Sequence, residues 1–260
     1  MLKVLKYTLY DLLRSGWSWI YFGFYLLLTF SLLFLNNDVS KSVITLMNVL
    51  VVLTSLIAVV FGSMYYYNSR EFIELLLGQP LKRSSIFIGQ YLGVSLSLSL
   101  SLLLGLGIPF AFYGGFNTEV IPDFSMLLLA GVFQNFIFTA LAYNLSLYHE
   151  NRIKGFSYAI LMWLFLTVLY DGLFLILLMN YSAYPLEKFS LVATLLNPVD
   201  LSRILIMLQL DISALMGYTG AVFKQFFGTG LGLFTVAAIL LLWIIVPVWN
   251  LYRKGNNKDF

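Results

Sequence analysis

Residues 43–65 of this chain read VITLMNVLVVLTSLIAVVFGSMY, a run of 23 residues without a charged side chain. A helix needs about 20 apolar residues to cross the hydrocarbon core of a membrane. A strand of a transmembrane barrel would instead be about ten residues long, with apolar and polar residues alternating. Because the run is long and continuous, it predicts a membrane-spanning helix.

Five further stretches have the same character, and together they predict an all-α membrane protein. The 260 residues are 60% hydrophobic and 10% charged, whereas soluble domains carry about 25% charged residues. A soluble protein could not hide six successive helices with almost no charged residues from water. We therefore expect one transmembrane domain over residues 1–260. Its six predicted spans are Ile20–Leu35, Val43–Tyr65, Ile86–Phe112, Phe124–Tyr148, Phe156–Met179 and Gly228–Leu251.

The distribution of lysine and arginine predicts which way the spans run. With the N-terminus in the cytoplasm, 11 of the 15 Lys and Arg residues fall in cytoplasmic segments, as the positive-inside rule requires. We therefore expect both termini in the cytoplasm. The 11 are Lys3, Lys6, Arg14, Arg70, Lys82, Arg83, Arg152, Lys154, Arg253, Lys254 and Lys258, and the other four are Lys41, Lys188, Arg203 and Lys224.

The first 15 residues have an amphipathic pattern. Leucines recur at helical spacing on one side, and charged residues lie on the other faces. This pattern predicts a helix over residues 1–15 that lies in the inner membrane interface. The alternative is an ordinary positively charged start that only sets the topology. The leucines are Leu2, Leu5, Leu9, Leu12 and Leu13.

The loop after the second span, residues 68–89, reads NSREFIELLLGQPLKRSSIFIG and contains a short helix pattern. Ser69 is a predicted N-cap, Gly78 can close the helix, and Pro80 prevents its continuation. We therefore expect a cytoplasmic helix within residues 69–83.

This predicted helix has a compact apolar face made by Phe72, Leu75 and Leu76. Such a face is shaped to dock into the groove of a partner protein. The alternative is a solvated turn whose apolar side rests on lipid.

The outer segment, residues 180–227, is too long for a simple turn and has a helical composition. Residues 195–216 read LLNPVDLSRILIMLQLDISALM, and Asp200 or Ser202 is a predicted helix cap. A charge at the bilayer centre costs about 3 kcal/mol, so three charged residues argue against a simple span. We expect the segment to pack on the outer face or to dip in and return. It serves as a partner site or a lid, or as inert cover for the helix ends.

Residues suited to catalysis or metal binding are scarce. The chain has no Cys and one His, His149, which we interpret as interfacial. It contains no HExxH, GxSxG or GxxxxGK[ST] motif. We therefore expect no enzymatic activity, no metal site and no cofactor in this chain alone.

Asp171 is the one acidic residue inside a predicted span. At 1.5 Å per residue it lies about 22 Å from the inner edge, in the outer third of the membrane. An intramembrane acid is a candidate functional residue with a cationic partner, here Arg203 or Lys224. The alternative is a structural acid capped near the surface. In the fourth span, the amide side chains Gln134, Asn135 and Asn144 are predicted interhelical hydrogen-bonding groups.

The order of these elements, and one motif, resemble the type-2 ABC exporter permeases. Residues 70–93, REFIELLLGQPLKRSSIFIGQYLG, are similar to the family segment E-x-L-L-x-x-P-x-x-R-x-x-x-x-x-G-K-x-x-G. Gln90 stands where the family usually has Lys. Residues 170–171, 197–203 and 214–217 further resemble the permeases that serve maturation of the copper centre of nitrous oxide reductase.

The resemblance implies a homodimer in a bacterial inner membrane, surrounded by lipid and without a nucleic-acid partner. A separate cytoplasmic ABC ATPase would carry ATP-Mg, and a periplasmic β-helix protein that handles copper would bind the outer segment. The residues implied in ATPase coupling are Arg70, Glu71, Phe72, Glu74, Leu75, Pro80 and Arg83. Those implied in the outer contact are Asn197, Pro198, Asp200 and Arg203.

Two other functions are compatible with the sequence. The first is an exporter permease of the same fold that moves a lipid, a glycan or a drug-like compound. The second is a channel or membrane enzyme without an ATPase. That function needs intramembrane histidines or paired acids, and in the predicted spans Asp171 stands alone.

Overall fold

The fold is a bundle of long helices. The computed structural model describes residues 1–35, 39–78, 82–113, 121–181, 187–209 and 218–257, so Pro80 lies outside the described residues. In these ranges the secondary structure is helical and contains no strand. Six helices are long and apolar enough to cross a membrane, which confirms the prediction of an all-α chain with six helices of that kind.

The six predicted spans each lie inside one observed helix, and the helices extend beyond them. The last helix differs most, since it begins ten residues before the predicted start at Gly228 and takes in the end of the predicted outer segment. The spans are α2 (Trp17–Leu35), α3 (Val39–Asn68), α5 (Arg83–Phe112), α6 (Ile121–Tyr148), the continuous α7 (Arg152–Leu164) and α8 (Tyr170–Asn180), and α11 (Tyr218–Asn257). The shorter helices are α1 (Leu2–Arg14), α4 (Arg70–Leu77), α9 (Glu187–Leu195) and α10 (Pro198–Gln209).

Helix α6 is the centre of the bundle. It packs against α3, α5, α7, α10 and α11, and its buried residues recur along nearly its whole length. Helix α5 joins this group to a second layer, because its other side packs against α1 and α2. One predicted hydrogen-bonding group fixes α6 to α11: Asn144 donates to the carbonyl of Pro247 over 2.8 Å.

Both ends of the described chain lie at the same end of this bundle, together with α4. A Cβ atom added at Gly89 would lie 3.1 Å from the carbonyl oxygen of Met1, and one added at Gly255 would lie 2.7 Å from the ring of Phe87. We call this end of the bundle the α4 end.

Helix α1 packs on the bundle through a face whose buried residues include only Leu12 of the predicted leucine stripe. Its buried residues are Val4, Thr8 and Leu12, whereas Leu2 and Leu13 of that stripe are exposed. The helix itself agrees with the prediction, and small residues on α5 allow the close approach of Val4 and Thr8.

The turn from α1 into α2 is made at Gly16, whose φ of +75° is the left-handed conformation that favours glycine. The backbone N–H groups of Trp19 and Ile20 bond back to the Gly16 carbonyl over 3.1 Å. This glycine therefore fixes the angle between the short helix and the first span.

Gly105 on α5 allows the close approach of α2, and its replacement should weaken the bundle. A Cβ atom at Gly105 would lie 2.6 Å from Cβ of buried Tyr25 and 3.0 Å from the carbonyl oxygen of Phe22. Because these atoms belong to or adjoin the α2 backbone, Gly105→Ala must displace the helix. We expect a loss of about 1–3 kcal/mol in the free energy of unfolding, measured by denaturant titration in detergent.

The control for this prediction lies two residues along the same helix. A Cβ atom at Gly107 would meet nothing within 4 Å, so Gly107→Ala should be neutral or stabilising by up to about 1 kcal/mol. Equal losses in the two variants would show that Gly105 does not set the spacing between α2 and α5.

Candidate functional site

Helix α4 follows α3 after a single residue, Ser69. The hydroxyl of Ser69 donates back to the carbonyl of Tyr65 over 2.7 Å, and the N–H of Ile73 bonds to the Ser69 carbonyl. Ser69 occupies the N-cap position of α4, as predicted, but its side chain accepts no N–H of the helix. Gly78 ends the helix with a φ of −71°, a backbone angle that residues other than glycine also adopt. α4 is built as a bent continuation of α3.

The predicted apolar face of α4 is divided between the protein and its surroundings. Leu75 is 73% exposed, while Ile73 is fully buried, and Leu76 packs against the core. The charged residues lie outside with Leu75: Glu71 is exposed, and Arg70 forms a 3.1 Å ion pair with Glu74. The surface that α4 offers to a partner is thus centred on Leu75 and is rimmed by acids.

Phe72 has a role that its sequence position does not reveal. Its ring stacks on that of Tyr7 in α1, with centroids 4.6 Å apart and planes 21° from parallel. A second link joins α1 to α3, where the Tyr65 hydroxyl donates to Asp11 over 3.1 Å. Phe72 is therefore an internal contact between α4 and α1, and its predicted contact with an ATPase stays a prediction.

The base of α4 is hydrogen-bonded to two other parts of the bundle. Gln90, which replaces the usual Lys of the resembled family, is buried in α5 and donates to the Ser69 hydroxyl over 3.2 Å. Arg70 donates to the carbonyl of Glu150, between α6 and α7, over 3.3 Å. Arg83, the last predicted coupling residue that is described, begins α5 and is exposed. These bonds join the base of α4 to α5 and to the α6–α7 turn.

A second site lies in the predicted outer segment, where α9 and α10 form a hairpin bent by 107°. Two contacts give the height of its tip in the bundle. Gln134, halfway along α6, donates to the carbonyl of Pro198 over 3.0 Å. The Leu166 carbonyl, halfway between Arg152 and Asn180, accepts a bond from Asn197 over 3.0 Å. The tip therefore lies at mid-height in the bundle, where the bent pair forms either a broken span or a re-entrant loop.

Asp171 is paired at this tip with Arg203, one of its two predicted partners. Arg203 Nη1 lies 2.5 Å from an oxygen of Asp171 and 3.1 Å from an oxygen of Asp200. Asn197 Nδ2 donates to the other oxygen of Asp200 over 2.9 Å. We call these four residues the mid-height cluster. The side chain of Lys224, the alternative partner, lies outside the described part of the chain.

The cluster corrects two expectations. Asp171 does not stand alone, because Asp200 shares its arginine at the same height. The cap of α10 is neither Asp200 nor Ser202. It is Asn197, whose side-chain oxygen accepts the N–H of Val199 over 3.0 Å, and Pro198 takes the first helical position, which suits a residue without an N–H.

A π-helical turn at Phe165–Leu169 brings α8 to the cluster. It is bonded in the wider pattern, with the Tyr170 N–H donating to the Phe165 carbonyl, and such turns occur often at functional sites. The Tyr170 hydroxyl then donates to the carbonyl of Ala193 in α9 over 2.6 Å. The sequence does not predict this turn, because its residues are as apolar as those of the α-helix on either side.

The residues predicted to contact an outer partner are enclosed in this structure. Asn197 is fully buried, Pro198 is buried, and Asp200 is 8% exposed, while the Arg203 side chain is 19% exposed. Helix α10 packs against α3, α6 and α11. Of the four residues predicted to contact an outer partner, Arg203 is therefore the most accessible.

The side chains of the two sites can act through ion pairs and through apolar contact. In the ranges that the structure describes, no three His, Asp or Glu side chains come together as a metal site requires. The mid-height cluster holds two carboxylates around one guanidinium, and α4 offers an exposed leucine among acids. No family model matches this chain, and no curated protein matches it.

Proposed function

We propose that this chain is the membrane subunit of an ATP-driven machine of the type-2 ABC exporter class. Two copies would form the membrane part, and a separate cytoplasmic ATPase would bind ATP and Mg²⁺. The observation that carries the proposal is α4, a short helix at the end of the bundle with Leu75 exposed and its base bonded to α5 and the α6–α7 turn.

The mechanism follows from the rigidity of those attachments. An ATPase that closes on ATP would push α4, and the hydrogen bonds of Gln90 and Arg70 would pass this displacement to α5 and the α6–α7 turn. Helix α6, at the centre, contacts α10 directly through Gln134. Movement of the bundle would therefore shift the hairpin that holds the mid-height cluster.

The partner on the outer side would respond to this hairpin. We propose a periplasmic β-helix protein that handles copper, in the maturation of the copper centre of nitrous oxide reductase. Because Asn197 and Asp200 are enclosed, such a partner would bind the state in which the hairpin has moved outward. That partner would handle the copper, and this chain would transmit to it the movement driven by the ATPase.

Purification from native membranes tests the general proposal. The tagged chain, extracted in a mild detergent, should bring with it an ATPase that has a Walker A motif, and the complex should hydrolyse ATP. Recovery of the chain without any ATPase, from membranes in which such ATPases are abundant, would contradict the proposal.

A deletion strain tests the specific proposal. Loss of the chain should abolish nitrous oxide reduction and leave the reductase without its copper centre. Normal copper loading in that strain would end the copper proposal and leave the permease. An exporter of a lipid, glycan or drug-like compound would then be the function to test, by uptake of such compounds into inverted vesicles.

The paired acids at mid-height are a feature that a channel or membrane enzyme would also need. Here both carboxylates are engaged: each bonds Arg203, and Asn197 donates to both, at 2.9 Å to Asp200 and 3.4 Å to Asp171. The arrangement therefore favours a structural lock for the hairpin over a catalytic dyad.

A further inference from the structure

A cavity of about 220 Å³ opens at the α4 end of the bundle, where α1, α2 and α3 meet. Pockets for drug-sized ligands occupy about 300–1,000 Å³, and a water molecule takes about 30 Å³. The cavity is therefore sized for a small chemical group.

Four aromatic side chains form much of its wall. Trp17 and Tyr21 are one turn apart on α2, and Phe61 and Tyr65 are one turn apart on the facing side of α3. The rings of Tyr21 and Phe61 meet edge to face, with centroids 5.0 Å apart and an angle of 82°. Because aromatic faces carry partial negative charge, rings arranged around a cavity attract a cation.

A carboxylate completes the wall. Asp11 lines the cavity from α1, and the Tyr65 hydroxyl donates to one of its oxygens over 3.1 Å. Among the residues that the structure describes, no Lys or Arg nitrogen lies within 4 Å of Asp11. The exposed carboxylate of Asp11 therefore places a negative charge, with no described Lys or Arg nitrogen in contact, beside a set of aromatic rings. This combination recognises an organic ammonium group, which has a positive charge and an apolar surface.

The position of the cavity indicates where such a group comes from. It adjoins the Gly16 turn between α1 and the first span, and Trp17 is 50% exposed beside it. Amphipathic rings at span ends lie at the level of the lipid headgroups. Arg14, exposed in the last turn of α1, is available to a headgroup phosphate.

We propose that this cavity binds the ammonium headgroup of a zwitterionic membrane lipid, phosphatidylethanolamine or phosphatidylcholine. The aromatic rings and Asp11 would hold the ammonium, and Arg14 the phosphate. Since α1 also stacks on α4 through Tyr7 and Phe72, the bound lipid would steady α1 beside α4.

Native mass spectrometry of the delipidated full-length chain in detergent tests this proposal. The protein is titrated with phosphatidylethanolamine, phosphatidylcholine and phosphatidylglycerol that have identical acyl chains. We expect one site that prefers the two ammonium lipids by about tenfold over phosphatidylglycerol. Tetramethylammonium chloride should displace them from that site.

The variants separate the cavity from the rest of the surface. Asp11→Asn keeps an oxygen to accept the Tyr65 hydrogen bond but loses the charge, so the preference should disappear while the melting temperature stays near that of the wild type. Trp17→Leu, at a half-exposed position, should weaken the preference without unfolding. Tyr10→Leu is the matched control, since Tyr10 is an exposed ring of α1 that does not line the cavity.

Three results would overturn the proposal. The first is equal binding of phosphatidylglycerol and phosphatidylethanolamine by the wild-type chain. The second is an unchanged preference in Asp11→Asn. Binding of tetramethylammonium without any preference among lipids would also overturn it, because the site would then serve soluble ammonium compounds.

Discussion

Arg203→Gln is expected to destabilise the chain by about 3–5 kcal/mol, the usual loss when one partner of a buried ion pair is removed. The guanidinium contacts both Asp171 and Asp200, and the three side chains are 12–27% exposed. Without it, two carboxylates remain close together with no cation. At mid-height in the bundle, water cannot solvate these two negative charges. Unfolding by SDS titration and by heating in detergent measures the loss.

Asp171→Asn is the matched test of the same cluster. It leaves Asp200 and Arg203 as a neutral pair, and its amide can still accept a hydrogen bond from Arg203. We therefore expect a loss of about 1 kcal/mol or less. If Asp171→Asn costs as much as Arg203→Gln, or if Arg203→Gln unfolds like the wild type, then charge balance does not hold the hairpin.

Leu75→Asp is expected to release the proposed ATPase and to abolish ATP-driven activity, while the membrane part stays folded. Leu75 is 73% exposed, so the change removes little internal packing. It places a third acid beside Glu71 and Glu74 and removes the apolar anchor, and loss of one such anchor costs about 2 kcal/mol or more of binding. Co-purification at graded detergent and stimulated ATPase activity are the measurements.

Phe72→Asp, by contrast, is not a clean test of ATPase binding, because it also breaks the stack on Tyr7. Ile153→Asp is the better control, since Ile153 is 76% exposed at the start of α7, near the turn that contacts Arg70 and on the same end of the bundle. Retention of the ATPase by Leu75→Asp would contradict the contact at Leu75, and its release by Ile153→Asp alone would place the contact near the α6–α7 turn.

The spans were predictable from sequence because apolar runs such as residues 43–65 have one stable arrangement in a membrane. The helix ends were not, since a helix continues into the interface as long as its backbone bonds are satisfied. The start of α11 shows this, because residues 218–227 of the predicted outer segment belong to the same helix as the last predicted span.

The details of α4 and the hairpin depended on contacts between distant residues. Ser69 is a residue type that often caps helices, but its hydroxyl donates back to the carbonyl of Tyr65. A helical projection also cannot show that Phe72 packs on Tyr7. The charges of Asp200 and Arg203 argued for an outer surface. Pairing with each other and with Asp171 removes most of the free-energy cost of placing these two charges inside the bundle. A sequence pattern does not reveal such pairing.

The order of synthesis gives the hairpin a particular path of assembly. Helix α10 packs against α3, α6 and α11, and α11 follows it in the chain. The surface that α10 packs against is therefore incomplete until α11 has been synthesised, so we expect α10 to reach its final position only after α11 is in place.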